Sequence, residues 1–354
     1  TVAANSVIVV CGDKSKVVSN SDMWETSTNY QTYQTQTTGF DGEGQITSAI
    51  TYVTSENNPK VYWVTGHGEA SESDLSTNFS DAINKNNVEI NDLALMTDDI
   101  PEDAEELVIM SPTTDFSEDE ANKVITYLEN GGKLLMFTSY TGTDMPNLDS
   151  ILENYGVKRS SGIVVETDSQ HYYPQMPYYL LPNIQSDDIT TEVKSNYILM
   201  PVAQAIQKLD SYRDTITIKS LLTTTEDAYI ENDPENSTWS KSADSETGAF
   251  DLGVSITETV DDKETQIIYF SSASMLSSQI DQAISGANSK LAATALTSMC
   301  DVEQTVVIPS KSTSYTNLVF TQGAVNTWSI ITIAGIPLVL VVIGVMIWMK
   351  RRKQ

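Results

Sequence analysis

The sequence predicts an α/β fold: a mostly parallel sheet with flanking helices, plus one transmembrane helix at the C-terminus. Three observations predict it. Apolar, strand-length runs recur at residues 60–65 (KVYWVT), 106–110 (ELVIM) and 133–138 (KLLMFT), the pattern of strands covered on both faces. Segments with helical apolar spacing lie between them, and strand–helix–strand units on short connections make parallel crossovers. Residues 328–349 (WSIITIAGIPLVLVVIGVMIWM) then run for 22 positions without a charge, where a helix needs roughly 20 apolar residues to cross hydrocarbon.

Taken in order, residues 6–11 (SVIVVC) are an apolar run expected as a buried strand. Residues 14–38 are Thr/Gln-rich, with strand-like pieces and little core. Residues 44–54 place Ile46, Ala49, Ile50 and Val53 on one helical face, and Pro59 closes that unit. The strand at 60–65 leads into the loop Gly66-His67-Gly68-Glu69. A helix carrying Leu75, Phe79, Ala82 and Ile83 follows, then strands at 88–95 and 106–110. Ser117 and Glu120 fit a capping box, each able to satisfy a free amide of the first helical turn. Val124, Ile125 and Leu128 form the buried face of that helix, and Gly131-Gly132 ends it by supplying left-handed backbone.

After the strand at 133–138 the pattern loosens. Residues 162–166 read as a strand, and 168–183, rich in Tyr and Pro, as an ordered but irregular loop. A strand at 215–222, an acidic surface excursion at 226–247, and paired or adjacent strands at 250–258 and 265–270 follow. The last of these is expected to return to the central sheet. Residues 288–300 form a helix with Leu291, Ala295, Leu296 and Met299 inward. The chain thus divides into an N-terminal remnant with its linking helix (1–58), an α/β ectodomain (59–308) with irregular insertions (168–183, 226–247), a polar stalk (309–327), the transmembrane helix (328–349) and a cytoplasmic tail (350–354).

The C-terminal segment has the marks of an anchor. Trp328 and Trp348 stand at its two ends, where amphipathic rings prefer the interface. Ser329 and Thr332 can bond back to the helix's own carbonyls, and Pro337 removes one donor, which membrane spans tolerate. Lys350, Arg351, Arg352 and Lys353 follow at once, and the positive-inside rule puts them in the cytoplasm. Everything before the span is then extracytoplasmic. The N-terminus carries neither Met nor a signal-like apolar region, so an exported domain implies an upstream signal or second span.

Charge narrows the function classes. The chain has 20 Lys+Arg against 48 Asp+Glu, a net charge of −28. Before the cationic tail, 16 cations face all 48 acids, a balance of −32. Such a surface repels phosphate backbones, which excludes nucleic acid as a partner. Cys11 and Cys300 are far apart in apolar surroundings, able to pair in an oxidising exterior or to stay as buried free thiols.

The only histidines are His67 and His171. The loop Gly66-His67-Gly68-Glu69 leaves the C-terminal end of a strand, where open α/β sheets bind ligands. His67 and Glu69 could share a metal there or serve as an acid–base pair, the basis of a surface hydrolase as a further alternative. No third ligand stands at fixed spacing, so no metal or other cofactor is expected. Equally, the glycines make a tight turn and His67 bonds to backbone. The Tyr/Pro loop around His171 could form the wall of a surface ligand-binding or adhesion module, or simply be packed surface. No Gly-x-Ser-x-Gly, phosphate loop or GxGxxG follows any strand. The acids Asp98, Asp99, Glu102, Asp103, Glu105 and Glu106 lack the spacing of a calcium loop and read as a solvated edge.

The motif order NSVIVV (5–10), ITSAI (46–50), VYWVTGHGE (61–69), LVIMSP (107–112), GGKLLMF (131–137), Pro146-Asn147-Leu148 and Tyr155-Gly156-Val157 resembles the GldG-type auxiliary subunits of ABC transport systems. So do Ser220-Leu221-Leu222 and Asn288 with its helix, and the single C-terminal span. The resemblance covers essentially the whole chain. It implies a class I glutamine-amidotransferase-like ectodomain, and an ABC permease and a cytoplasmic ATPase as partners. It also implies a further transmembrane helix upstream. An amidotransferase would present a cysteine at the turn after the strand at 133–138. That turn here reads Thr138-Ser139-Tyr140-Thr141-Gly142 and contains no thiol, so the fold is expected to serve binding rather than catalysis.

Overall fold

Five parallel strands lie side by side at the centre of the molecule, and three of them are the apolar runs that open the prediction. The computed structural model describes residues 3–29, 34–55, 58–235, 238–300, 308, 311–312 and 320–352. The strands are β1 (Lys60–Val64), β2 (Glu89–Leu93), β3 (Glu106–Met110), β4 (Lys133–Phe137), β5 (Val157–Val165), β6 (Gln204–Lys208), β7 (Ile216–Thr223), β8 (Tyr229–Glu231), β9 (Asp251–Val260) and β10 (Lys263–Phe270). The central order β2-β1-β3-β4-β10 is parallel throughout. Beyond β10 the sheet continues as β9, β6, β5 and β8, all antiparallel, with β7 and the short strand Asn183–Ile184 also joined through β9. The parallel centre matches the alternation in sequence. The pairing of β9 with β10, and the return of β10 to the central sheet, match the expectation for these strands, whereas the antiparallel flank beyond β9 is not signalled by alternation.

The helices are α1 (Gly42–Thr54), α2 (Thr77–Lys85), α3 (Glu118–Glu129), α4 (Pro146–Asn154), α5 (Ser278–Ala283), α6 (Ala287–Met299), α7 (Gln322–Ile330) and α8 (Ile336–Arg352). Strand residues of alternate parity face opposite sides. Val108, Met110, Leu135, Phe137, Ile268 and Phe270 meet Phe79 and Ile83 of α2 and Leu291 and Leu296 of α6. Leu107, Ile109, Leu134, Met136, Ile267 and Tyr269 meet Val124 and Leu128 of α3 and Leu148, Ile151 and Leu152 of α4. Each such fully buried aliphatic or aromatic side chain contributes about 1.5–3 kcal/mol through area removed from water. The Ser117–Glu120 capping box starts α3 as predicted, and Gly131, at φ 89°, follows its end.

Several expectations change. The apolar run at 6–11 does form a strand, Val7–Cys11, but it pairs only with Lys14–Val18 in a two-stranded hairpin. Ile8 and Val10 are more than half exposed, and Cys11 is on the surface. Helix α1 packs against this hairpin and partly covers Val7 and Val9, but Ile8 and Val10 remain uncovered among the described residues. Cys300 is buried and both cysteines are free. Ile50 of α1 is exposed, whereas Ala49 and Val53 are buried. The Tyr/Pro segment is more regular than expected: Tyr172–Tyr173 and Met176–Leu180 pair as a hairpin, and the latter also pairs Met200–Pro201. Within 226–247, β8 joins the sheet edge against β5. Of residues 309–327, only 311–312 and 320–327 are described, and there the helix has already begun at Gln322.

From Gln322 to Arg352 the chain forms one 31-residue helix, long and apolar enough to cross a membrane, with a mean hydropathy of 2.9 in its most apolar stretch and nothing packed over that stretch. A π turn at Ile331–Gly335 lies just before Pro337. Proline has no N–H for the carbonyl four residues back and crowds it, and a wider turn relieves both problems. Thr332 Oγ1 donates to the Trp328 carbonyl (2.8 Å), so its hydroxyl is satisfied within the helix.

The acidic stretch before β3 is not all solvated edge. Asp103 pairs with Lys60 at the surface, but Glu106 is fully buried. The Cys300 thiol donates to its Oε2 (3.3 Å), and Oε1 has no hydrogen-bond partner. Burial pushes this carboxyl well above the ordinary range, against a smaller downward pull from Cys300 and Lys133. The folded state therefore holds a proton that the unfolded chain releases, and stability falls as pH rises above the unfolded carboxyl's titration. Glu106→Gln should accordingly raise stability by about 1–3 kcal/mol at neutral pH and change little near pH 4. Chemical denaturation of the full chain at both pH values checks this, and destabilisation at neutral pH would contradict it.

Candidate functional site

The predicted loop sits where the parallel strands end, and the backbone explains its residues. Gly66 (φ 122°) and Gly68 (φ 76°) both adopt left-handed geometry. A Cβ at Gly68 would also collide with Thr113 Oγ1. The turn folds His67 inward until it is 5% exposed, while Gly66 and Gly68 stay on the surface.

His67 is held from every side. Its Nδ1 bonds Glu69 Oε1 (3.2 Å) and its backbone N–H donates to Glu69 Oε2 (2.7 Å). Its Nε2 stands 3.3 Å from Glu120 Oε1, an ion-pair distance without hydrogen-bond geometry. The Phe116 ring covers the imidazole at 4.3 Å between centroids. The His67 carbonyl accepts from the Thr113 and Thr114 amides at 2.9 and 3.1 Å. Side chains of Glu69 and Glu120 are only 2% and 5% exposed. Burial pushes the Glu120 carboxyl up, but the Ser117 hydroxyl and amide together with His67 outweigh it and hold the group below its usual value.

Thus the pairing of His67 with Glu69 foreseen from sequence is present, but in a closed cluster rather than an open cleft. The imidazole itself bonds carboxylates rather than backbone, and only the His67 main-chain carbonyl pairs with backbone amides. Glu120 was legible only as a cap; that it reaches the imidazole requires the fold to place α3 over the β1 loop. Sequence reasoning missed Ser111, which directly follows β3 with φ 54° and donates from its hydroxyl to Ser139 Oγ (2.8 Å). A non-glycine residue held in that region stores strain of order 1–3 kcal/mol, and the Ser-Pro step at 111–112 was its one available signal.

The turn after β4 is likewise occupied by hydroxyls. Thr138 Oγ1 and Tyr269 Oη share a hydrogen bond (2.8 Å), and Ser139 accepts from Ser111. Neither cysteine is at this edge: Cys11 belongs to the N-terminal hairpin and Cys300 touches Glu106 at the opposite ends of the strands. Among the described residues no group of His, Cys, Asp and Glu is arranged to hold a metal ion. His171 lies apart from His67, its Nδ1 on the Leu181 carbonyl (3.2 Å) within the Tyr/Pro hairpin.

The residues expected to form a membrane anchor fall on the C-terminal helix. Trp328 and Trp348 are 63% and 58% exposed, and the Arg352 guanidinium lies over the Trp348 ring. Lys350, Arg351 and Arg352 form its last turn. Lys353 lies outside the described residues.

Residues 58–298 match the family described as ABC-type uncharacterized transport system, whose members are auxiliary components. The chain belongs to this family. The match spans both helix layers and the whole 11-stranded sheet, in agreement with the resemblance to GldG-type subunits. No curated protein matches significantly. Three solved structures are similar to this auxiliary-family chain at low identity. The mmIFT52 N-terminal domain is 15% identical, with a TM-score of 0.49, covering 68% of this chain and 96% of that one. A ThuA-like protein from Parabacteroides merdae is 12% identical (TM-score 0.38; 75% and 99% covered). The exo-β-1,4-mannosidase Op5Man5 from an Opitutaceae bacterium is 10% identical (TM-score 0.35; 72% and 37% covered).

Proposed function

We propose that this auxiliary-family chain is a non-catalytic, membrane-anchored extracytoplasmic subunit that works by binding and coupling beside an ABC permease and its cytoplasmic ATPase. The observation that carries the non-catalytic part is the closed edge of the parallel strands. His67 is locked between Glu69 and Glu120 beneath Phe116. At the turn after β4, where an amidotransferase-like domain would present its thiolate, the hydroxyls of Thr138 and Ser139 are engaged with Tyr269 and Ser111. A base must reach the proton it removes, and this imidazole has no open side. The surface loop at Gly66 and Gly68 remains available to meet a partner through its backbone.

The C-terminal helix supplies the anchor in this reading. Its exposed apolar surface suits lipid, and its cationic last turn suits the cytoplasmic face. The acidic domain then stands outside, tethered next to the permease.

Purification of the full chain in mild detergent should recover a permease and an ATPase. A variant lacking the helix from Gln322 onward should lose both. Repeated recovery of neither with the full chain would overturn the proposal. Metal-dependent hydrolase activity abolished by His67→Gln with the fold intact would overturn its non-catalytic part.

A further inference from the structure

The first turn of the C-terminal helix is fastened to the tip of the Tyr/Pro hairpin. The Gly323 amide donates to the Ser169 carbonyl (2.6 Å), and the Gln175 amide donates to Gln322 Oε1 (2.9 Å). Thr321 Oγ1 donates to Gln170 Oε1 (3.1 Å) and also accepts from Ala324 N–H as the helix cap. The approach is so close that a Cβ at position 323 would strike the Gln170 side chain. The other end of this segment is fixed to the sheet. Glu166, 2% exposed, accepts from the amides of Thr167, Asp168 and Thr225 (2.8, 2.9 and 3.1 Å). The hairpin is therefore a rigid shelf at the foot of the helix.

The hairpin itself is uncharged along its length. No Asp, Glu, Lys or Arg occurs from His171 to Ser186, in a chain where 19% of residues are charged. At the hairpin tip, Met176 is 37% exposed, and Tyr172, Tyr173, Pro174 and Pro177 are half-buried. Tyr178 carries Trp239 on its ring at 4.4 Å, and that tryptophan is held at φ 54°. Tyr and Trp with an apolar body and a polar edge are the residues that settle at the headgroup level.

Distance makes the two observations one. From Gln322 to Trp328 is about 9 Å along a helix, less than the thickness of a headgroup layer plus an aromatic side chain. A helix that enters the bilayer at Trp328 thus brings the hairpin tip down to the surface of the same bilayer. We infer that the uncharged hairpin tip around Met176 rests on the phospholipid headgroup layer as a second membrane contact, fixing how the ectodomain is tilted over its anchor. This rests on the anchored-helix part of the proposed function. The surrounding acids, Asp168 and Asp187 among them, favour zwitterionic over anionic headgroups.

The test uses the full chain with Cys11→Ser, carrying Met176→Cys, Leu338→Cys or Met96→Cys, labelled with an environment-sensitive fluorophore. Each is reconstituted in nanodiscs of phosphatidylcholine containing lipid spin-labelled at the headgroup or along the acyl chain. Leu338 is mid-helix, and Met96 is an exposed site beyond the edge strand β2. Headgroup spin label should quench position 176 several-fold more than position 96, while acyl-chain label quenches position 338. Quenching at 338 without quenching at 176 overturns this inference and leaves the anchor standing. Quenching at neither overturns both. Protection of position 176 that appears only when a permease is co-reconstituted also overturns it, since the contact is then with protein.

Discussion

Replacing Asp281 by alanine should destabilise the ectodomain by about 3–5 kcal/mol, the cost of stripping the acceptor from a buried charged network. Asp281 is fully buried at the junction of α5 and α6. Its carboxylate accepts from Ser76 Oγ (2.7 Å), Asn78 Nδ2 (2.8 Å), the Ser289 amide (2.9 Å) and Ser289 Oγ (2.7 Å). Those donors belong to the start of α2 and the first turn of α6, so one side chain joins segments some 200 positions apart. Alanine leaves the donors unpaired in a dry interior, where each lost partner is worth about 1–3 kcal/mol. Asp281→Asn supplies one oxygen and should recover part of the loss. Urea or guanidinium midpoints of the full chain in detergent check both. An alanine variant within about 1 kcal/mol of the parent would show that the network is not formed in solution.

Replacing His67 by alanine is the second large effect, expected at about 2–4 kcal/mol near neutral pH. Without the imidazole, Glu69 and Glu120 face each other across an apolar gap beneath Phe116, both nearly unexposed. Part of what holds the Glu120 carboxyl below its usual value disappears with the ring. A lowered carboxyl value contributes stability above the unfolded value, and that contribution is lost as pH falls through the folded one. The difference between parent and variant should therefore shrink as the medium is acidified through the carboxylate range. Denaturation midpoints at neutral and acid pH measure it. Unchanged stability at both would mean that the cluster does not tie the β1 loop to α3.

These two sites show where sequence stops being informative. His67 and Glu69 are neighbours in the chain, so their contact was legible from spacing alone. Glu120 lies 53 positions further on, and its spacing to Ser117 encodes only a local cap. The same carboxylate does both jobs because one oxygen faces Ser117 and the other faces the imidazole. Asp281 gave no signal at all, since a lone acid before a helix is indistinguishable from a solvated one until the partners arrive. Glu106 was read as solvated for the same reason: it begins a strand whose neighbours, not its own sequence, seal it from water. The strand at 7–11 differs in the opposite direction, since among the described residues Ile8 and Val10 stay exposed while α1 packs against the hairpin.

By itself the sequence determined what depends on nearby residues and composition. That includes the apolar runs of the parallel centre, the α3 capping box, the glycine turn around His67 and the long uncharged helix ending in cations. These follow from periodicity, backbone geometry and the cost of burying charge, which act locally. Only the folded structure set the antiparallel flank beyond β9, the closure of the His67 cluster by Glu120 and Phe116, the burial of Asp281 and Glu106, and the fastening of the C-terminal helix to the Tyr/Pro hairpin. Each of these depends on groups distant in sequence meeting where water is excluded, and only packing sets which groups meet.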